Sequence, residues 1–387
     1  MNLMYAGEDL PETITKSVFL AGPTPRDDAT DSWRPDAIKI FENAGFDGTL
    51  FIPEPAEGKG FPSDYDAQIE WETKCLNVAD IILFWVPRDL ETMPAFTTNV
   101  EFGRWFTSGK VVFGAPKDAE KNNYLFYKAE EHDVPTFTNL DGMVKHVIQD
   151  LGDGAERTDG ERFVPLLVWN TPAFKSWYKA QTEAGNRLDD ARLLYTFIMP
   201  KMKLVFLWVL QVDIYIASED RHKTNEFVIA RTDISSVVVY RKANDIMNTE
   251  LALVREFRSP ASTSDGFIWE IPGGSSFKPD EDPVKVAASE VEEEIGLKID
   301  PSQVQYVGKR QLAGTLSSHK CHLFAAELDD DQMAELKEIA NKKEPMGNEE
   351  DTERTYLEIR TLKEIIEEEL VDWSNLGMIL TFLTTNN

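Results

Sequence analysis

Cysteine is nearly absent. Cys75 and Cys321 are the only two in 387 residues, which excludes a disulfide framework and makes a reducing cytoplasm the expected compartment. No basic-then-apolar leader opens the chain, so secretion is not expected. Long hydrophobic runs are lacking too. Residues 202–210 are the best membrane candidate and fall far short of the roughly 20 residues that a span needs, so they read as a strand and no membrane association is expected. Basic residues are scarce, 40 Lys and Arg against 68 Asp and Glu, for a formal net charge of −28. That balance argues against a nucleic-acid groove, which needs clustered cations against phosphates. Small phosphorylated substrates stay open, because metal ions and local arginines can hold them. There is no internal repeat and no low-complexity tract. His319-Lys320-Cys321-His322 has no second Cys/His cluster to join, and strand alternation puts Cys321 and His322 on opposite faces, so a zinc site is not expected.

What the chain does have is a globular apolar share, 42%, and length for two or three domains. Residues 18–21, 50–52, 80–86 and 111–114 are short apolar runs. They alternate with helical patterns at 33–44, 67–78, 100–107 and 140–151. Continuous apolar strands between helices predict an α/β domain with a parallel sheet covered on both faces. Residues 152–162, glycine-rich and charged, read as a boundary. Two helices are expected next, near 172–184 and 188–198. From residue 203 the texture becomes β alternation, with strands near 227–230, 235–241, 251–256, 304–326 and 356–359, and helices near 329–341, 363–369 and 375–383. The predicted division is a first domain over 1–152, a helical connector over 153–202 and a second domain over 203–387.

Within the second domain, residues 273–297 carry an unusual helix. Glu290, Glu293 and Glu294 sit at i, i+3 and i+4, so three carboxylates share a face. Like charges at these spacings destabilise a helix, and a divalent cation would remove that cost. Oxygen ligands suit Mg²⁺ or Mn²⁺. Asp282 and Pro283 read as an N-cap and first-turn proline, and Gly296 as the stop.

This stretch resembles the signature box of the Nudix hydrolases, with Glu290, Val291, Glu293, Glu294, Gly296 and Leu297 in register and Glu281 at the earlier glutamate. Two departures stand out: Ser289 occupies the position of the family arginine, and the loop from Gly274 to Glu281 is one residue longer than the family pattern. The flanking LALVREFRSP and GFIWEIPGGSS are similar to the ADP-ribose and nucleoside-diphosphate-sugar pyrophosphatase branch. The resemblance implies an α+β fold with a mixed sheet between helices. It implies metal ligation by Glu290, Glu294 and the Gly274 carbonyl, or that of Gly273, and a catalytic role for Glu293. Arg255, Arg258 and Glu270 would bind substrate. A base would come from the acidic loop holding Glu349, Glu350 and Glu353, with Glu350 taken as the representative.

In the first domain, open α/β sheets bind ligands at the carboxyl ends of their strands. Gly22-Pro23, Pro53-Glu54-Pro55 and Glu101 map to that edge, and Glu72 lies on the intervening helix. Two carboxylates converging there would suit nucleophilic and acid/base work at a sugar. FLAGPTPR, WETKCLNVADIILFWVP and TTNVEFGRWFTSGKVVFG resemble the nucleoside 2-deoxyribosyltransferase family and its N-glycosidase relatives. The resemblance implies a flavodoxin-like parallel sheet with Glu101 as nucleophile at the anomeric carbon and Glu72 handling the leaving base. Gly22, Tyr65, Trp71 and Asp80 would contact the ligand.

The two resemblances together imply a bifunctional nucleotide-processing enzyme acting on small-molecule nucleotides, as a homodimer or higher homo-oligomer. In one version the first domain releases ADP-ribose from an NAD-like compound and the second splits it. A nucleotide-binding sensor or regulator with a degenerate Nudix site is the alternative that Ser289 motivates.

Overall fold

Short apolar runs closed by turn residues build the first sheet, as their continuous burial requires. The computed structural model describes residues 1–27, 29–60, 64–199, 202, 204–275, 282–347 and 354–385. By its contacts the chain divides into two units, Met1–Arg231 and Thr232–Asn387.

The first unit opens with β1 (Asn2–Tyr5), β2 (Thr13–Ile14), β3 (Ser17–Ala21), α1 (Arg34–Asn43), β4 (Thr49–Ile52), α2 (Tyr65–Val78) and β5 (Ile81–Trp85). It continues through α3 (Phe96–Trp105), β6 (Val111–Gly114), α4 (Asn123–Glu131), β7 (Thr136–Phe137) and α5 (Leu140–Leu151). The strands pair in the order β1-β4-β3-β5-β6-β7, all parallel. Alternate residues of β3 and β5 feed two cores. Phe19, Ile82 and Phe84 pack with Phe102 on one face, and Val18, Leu20 and Leu83 with Phe41 and Val147 on the other. Helices therefore flank a parallel sheet, as the sequence predicts. The chain leaves β3 to one side for β4 and to the other for β5, so the crevice at the carboxyl ends of β3 and β5 is the natural ligand position.

Asp80 lies at the opposite, amino end of β5. It is 3% exposed and pairs in bidentate fashion with the buried Arg157, 2.7 Å for each contact. It also accepts from the Ser17 and Leu166 backbone amides at 2.9 and 2.8 Å. The ligand contact expected of Asp80 gives way to a structural role, because its oxygens tie β3, β5 and the segment after β8 (Arg157–Thr158) together. Breaking a buried pair strands one charge, so Asp80→Ala should lower the unfolding free energy by about 3–5 kcal/mol. Urea denaturation measures this, and an unchanged midpoint would contradict it.

After α6 (Leu166–Trp169) and α7 (Pro172–Glu183), the first unit ends in an antiparallel sheet of β9 (Arg187–Met199), β10 (Leu204–Ile216) and β11 (Arg221–Arg231), ordered β11-β10-β9. This corrects one expectation. A strand stands where a second helix was predicted, because residues 187–199 pair with β10 along nearly their whole length. By contacts, β10 and β11 fall within the first unit. Trp208, Leu210 and Val212 alternate inward against Phe174 of α7.

The second unit holds β12 (Ile234–Arg241), β13 (Glu250–Phe257), β14 (Phe267–Glu270), β15 (Gly273–Ser275), α8 (Pro283–Ile295), β16 (Gln305–Gln311) and β17 (Lys320–Glu327). α9 (Asp330–Lys342), β18 (Thr355–Thr361), α10 (Leu362–Glu367) and α11 (Trp373–Thr385) complete it. Its mixed sheet runs β14-β13-β12-β17-β16, with β15 on β12 and β18 on β13. β12 and β17 are parallel, and the other pairs are antiparallel. Val237 and Val239 face α8 and α9, while Val238 and Tyr240 face α10 and α11. A mixed sheet with helices on both faces matches the predicted α+β layering. Among the described residues no helix is long and apolar enough to cross a membrane.

Candidate functional site

The carboxyl edge of the first sheet gathers charged side chains from separate elements. β3 runs straight into Gly22, where a Cβ would stand 2.2 Å from the Trp85 carbonyl oxygen and 2.8 Å from the Trp33 ring. Only glycine lets the turn pass so close to β5. Arg34, the first residue of α1, is 1% exposed. It donates to the carbonyl oxygens of Leu20 and Gly22 at 3.0 and 2.8 Å, to Thr24 Oγ1 at 3.1 Å and to Glu54 Oε1 at 2.5 Å. Glu54, just beyond β4, also accepts from Ser32 Oγ at 2.9 Å. One guanidinium thus fixes the turns after β3 and β4 and keeps a positive charge beneath the crevice.

Glu72 of α2 and Glu101 of α3 complete the cluster. Burial pushes the Glu101 carboxyl up to about 7, the Glu72 charge adds to the rise, and Arg34 opposes it. Burial also raises Glu72, opposed by a hydrogen bond from Gln68 Nε2 at 3.0 Å and by the Arg34 charge. Two neighbouring carboxylates in a partly buried site resist double ionisation. The Glu72 charge therefore holds the Glu101 proton more tightly.

A family described as nucleoside 2-deoxyribosyltransferase like matches residues 15–119. The N-terminal domain matches this deoxyribosyltransferase-like family. The matched segment contains Gly22, Arg34, Glu54, Glu72 and Glu101, and it spans roughly a quarter of the chain. No curated protein matches the chain.

Within the deoxyribosyltransferase-like domain, three sequence expectations shift. Helix α3 begins at Phe96, after Ala95 in the left-handed conformation (φ 59°). Glu101 therefore sits in the second turn rather than at the helix start, where the macrodipole acts on it weakly. Trp71 donates its indole N–H to the Glu8 carbonyl at 2.7 Å and packs against Phe19, so it belongs to the core margin rather than standing free to stack on a base. Tyr65 opens α2 and is 66% exposed. Arg34 and Glu54 are candidates that sequence pattern alone does not select. The nearest signal was the Pro53-Glu54-Pro55 turn, which marked the position without marking the charge.

The second unit gathers acids around a glycine turn. Asp282 caps α8 through the Val284 amide, Pro283 is its first residue, and Gly296 ends it in the left-handed conformation (φ 72°). Glu294 is 7% exposed and accepts from the Gly273 amide at 2.8 Å. The Glu290 carboxylate lies directly against Gly274, whose Cβ would meet its oxygens at 2.4 and 2.6 Å. Burial raises Glu294 well above the ordinary carboxyl value. The Gly273 hydrogen bond opposes this, the Glu290 charge adds to it, Arg258 opposes it and Glu256 adds. Arg258 pairs with Glu256 at 2.9 Å and with Glu270 at 3.1 Å.

Two of the expected site residues stand apart. Glu293 is exposed, so the three-carboxylate face resolves into a gathered pair, Glu290 and Glu294. Arg255 alternates away from Glu256 along β13. It pairs with Asp265 at 2.5 Å and lies over the Phe267 ring at 4.3 Å. Glu256, which sequence reading missed, continues the inward series of Ala252 and Val254 and is 7% exposed. Glu281, Glu349, Glu350 and Glu353 lie outside the described residues.

Among the described residues no group of three or more His, Cys, Asp or Glu side chains is gathered to hold a metal ion. The Glu290–Glu294 pair beside the Gly274 backbone is a hard-oxygen set whose chemistry fits Mg²⁺ or Mn²⁺. Ser289 is exposed and returns its hydroxyl to the Val286 carbonyl at 3.0 Å.

Proposed function

We propose that the first unit cleaves or transfers at the N-glycosidic bond of a nucleotide, with Glu101 as nucleophile and Glu72 as acid and then base. The observation that carries this reading is the gathering of Glu101 and Glu72, both raised by burial, with the buried Arg34 at the carboxyl edge of the sheet. The ionised Glu101 oxygen attacks the anomeric carbon. The bond from that carbon to the base nitrogen breaks, and the departing nitrogen takes the proton from Glu72. Water or a second base, deprotonated by Glu72, then attacks the same carbon and releases Glu101. Gly22 lets backbone line the sugar closely, and Arg34 favours the ionised form that the attack needs. A flavodoxin-like topology and a homodimeric or larger assembly are part of this reading.

The mechanism needs one carboxyl protonated and the other ionised. Above about 7, the value to which Glu101 is pushed, the pair loses its last proton and with it the acid. At low pH both are protonated and the nucleophile is lost. A profile of kcat/KM against pH should therefore be bell-shaped with its basic limb near 7. A rate that keeps rising through pH 9 would contradict the paired roles.

For the second unit we propose Mg²⁺-dependent hydrolysis of an ADP-ribose-like nucleoside diphosphate derivative. Glu290 and Glu294 would hold the metal, which when bound supplies charge neutralisation at the diphosphate and an activated water. Arg258, set between Glu256 and Glu270, would hold phosphate oxygens at the glycine turn. Glu350 is proposed as the base. Ser289, bonded to its own helix backbone, favours a second reading in which this unit binds the nucleotide as a sensor without splitting it. Incubation with ADP-ribose and Mg²⁺, followed by chromatography, separates the two: AMP formation supports the hydrolase, and a ligand-induced thermal shift without product supports the sensor.

A further inference from the structure

A cavity of about 390 Å³ opens on the far side of α3 from Glu101. Asn99 and Gly103, which line it, sit roughly 200° around the helix from Glu101 at the usual 100° per residue. None of Arg34, Glu54, Glu72 or Glu101 borders it. Three cations do, Arg88, Lys121 and Lys128, of which Lys128 already pairs with Glu131 at 2.5 Å; no carboxylate is among the lining residues. That lining is unusual in a chain of net charge −28.

Arg88 is 8% exposed. Its guanidinium donates to Asn99 Oδ1 at 2.5 Å and to the Lys121 carbonyl at 3.3 Å, both neutral acceptors. Its Nε is buried without a hydrogen-bond partner. Burial alone shifts it, downward, with no carboxylate acting on it. Buried cations are ordinarily paired with an anion, and an arginine fork with an unused donor suits a phosphate. Phe102 and Phe106, whose rings stack at 5.6 Å, supply an apolar wall. Gly103 weakens the interior of α3, yet a Cβ there would meet nothing within 4 Å. Packing therefore does not demand the glycine.

We propose that this cavity binds an organic phosphate monoester, with the phosphate held by Arg88 and Lys121 and the organic group against Phe102 and Phe106. The volume is within the usual range for small-ligand sites, about 300–1,000 Å³. Because α3 also carries Glu101, an occupant would brace the helix that bears the proposed nucleophile.

Calorimetric titration of the full chain carrying Glu101→Ala tests the site apart from the glycosidic chemistry, and EDTA in the buffer keeps metal-bound phosphate from contributing. The probes are AMP, ribose 5-phosphate and adenosine. Both phosphates should bind and adenosine should not. Adding Lys121→Glu, an exposed position, should weaken AMP by about tenfold or more through loss of a charge-assisted contact. Adding Gly103→Leu should fill the cavity and abolish binding. Neither phosphate binding, adenosine binding as tightly as AMP, or AMP binding unchanged by both substitutions in folded protein would each overturn the proposal.

Discussion

Glu101→Gln should abolish base release while making the protein more stable at alkaline pH. The loss of a nucleophile that acts as a unit with its acid is on the order of 10⁴ in kcat. The gain in stability follows from the raised carboxyl. Burial pushes Glu101 up to about 7 from a reference of 4.5, so the folded chain binds that proton more tightly than the unfolded chain does. Stability contributed by the protonated group is full below the unfolded value and is lost as pH rises through the folded one. At pH 8 the wild type therefore carries an ionised carboxylate in a partly buried crevice, at a cost on the order of 2 kcal/mol. A neutral amide of the same shape avoids it. Thermal unfolding at pH 8 should show the variant melting higher, with the difference vanishing near pH 4. Loss of activity together with loss of stability would mean that Glu101 is a structural residue.

Glu294→Gln should act in the same two directions in the second unit. Its carboxyl is raised well above the ordinary value by burial, with the Glu290 charge adding, so the metal-free wild type is strained at neutral pH and the variant should melt higher in EDTA. Mg²⁺ should reverse the order. A cation that binds only the folded chain stabilises it by mass action, and the wild type offers two carboxylates where the variant offers one. Diphosphate hydrolysis should fall by about 10³, the scale of losing a metal's charge stabilisation in the transition state. Calorimetric scans with and without Mg²⁺ read the stability exchange, and chromatography of ADP-ribose reads the rate. If Mg²⁺ shifts both proteins equally, Glu294 is not a ligand.

Local signals carried the fold further than the sites. The α8 helix was legible because Asp282, Pro283 and Gly296 are caps whose chemistry is contained in a few residues. The parallel sheet was legible because β3, β5 and β6 are buried along their whole length and so read as unbroken apolar runs. Residues 187–199 misled because their apolar spacing fits either period, and only pairing with β10 decides for a strand. The start of α3 misled because its N-cap, Ala95, offers no side-chain signal. The carboxylates of both sites stood out as residue types in ordered patterns. Their partners did not. Arg34 comes from the head of a surface helix, and its burial depends on the turns after β3 and β4 closing over it. Glu256 was readable in principle from the alternation of β13, since it follows Ala252 and Val254 inward, but a charged residue in that series looks like a strand end until Arg258 and Glu294 are placed beside it.

The central claim is that Glu101 and Glu72 form an N-glycosidic site independent of the metal proposed for the second unit. Chromatography of the wild type, Glu101→Gln and Glu294→Gln with NAD, deoxynucleoside monophosphates and deoxynucleoside triphosphates tests it most directly. A free base should appear with the wild type and with Glu294→Gln, in the presence of EDTA, and should not appear with Glu101→Gln. Base release that survives Glu101→Gln, or no release from any of these substrates by the wild type, would contradict it.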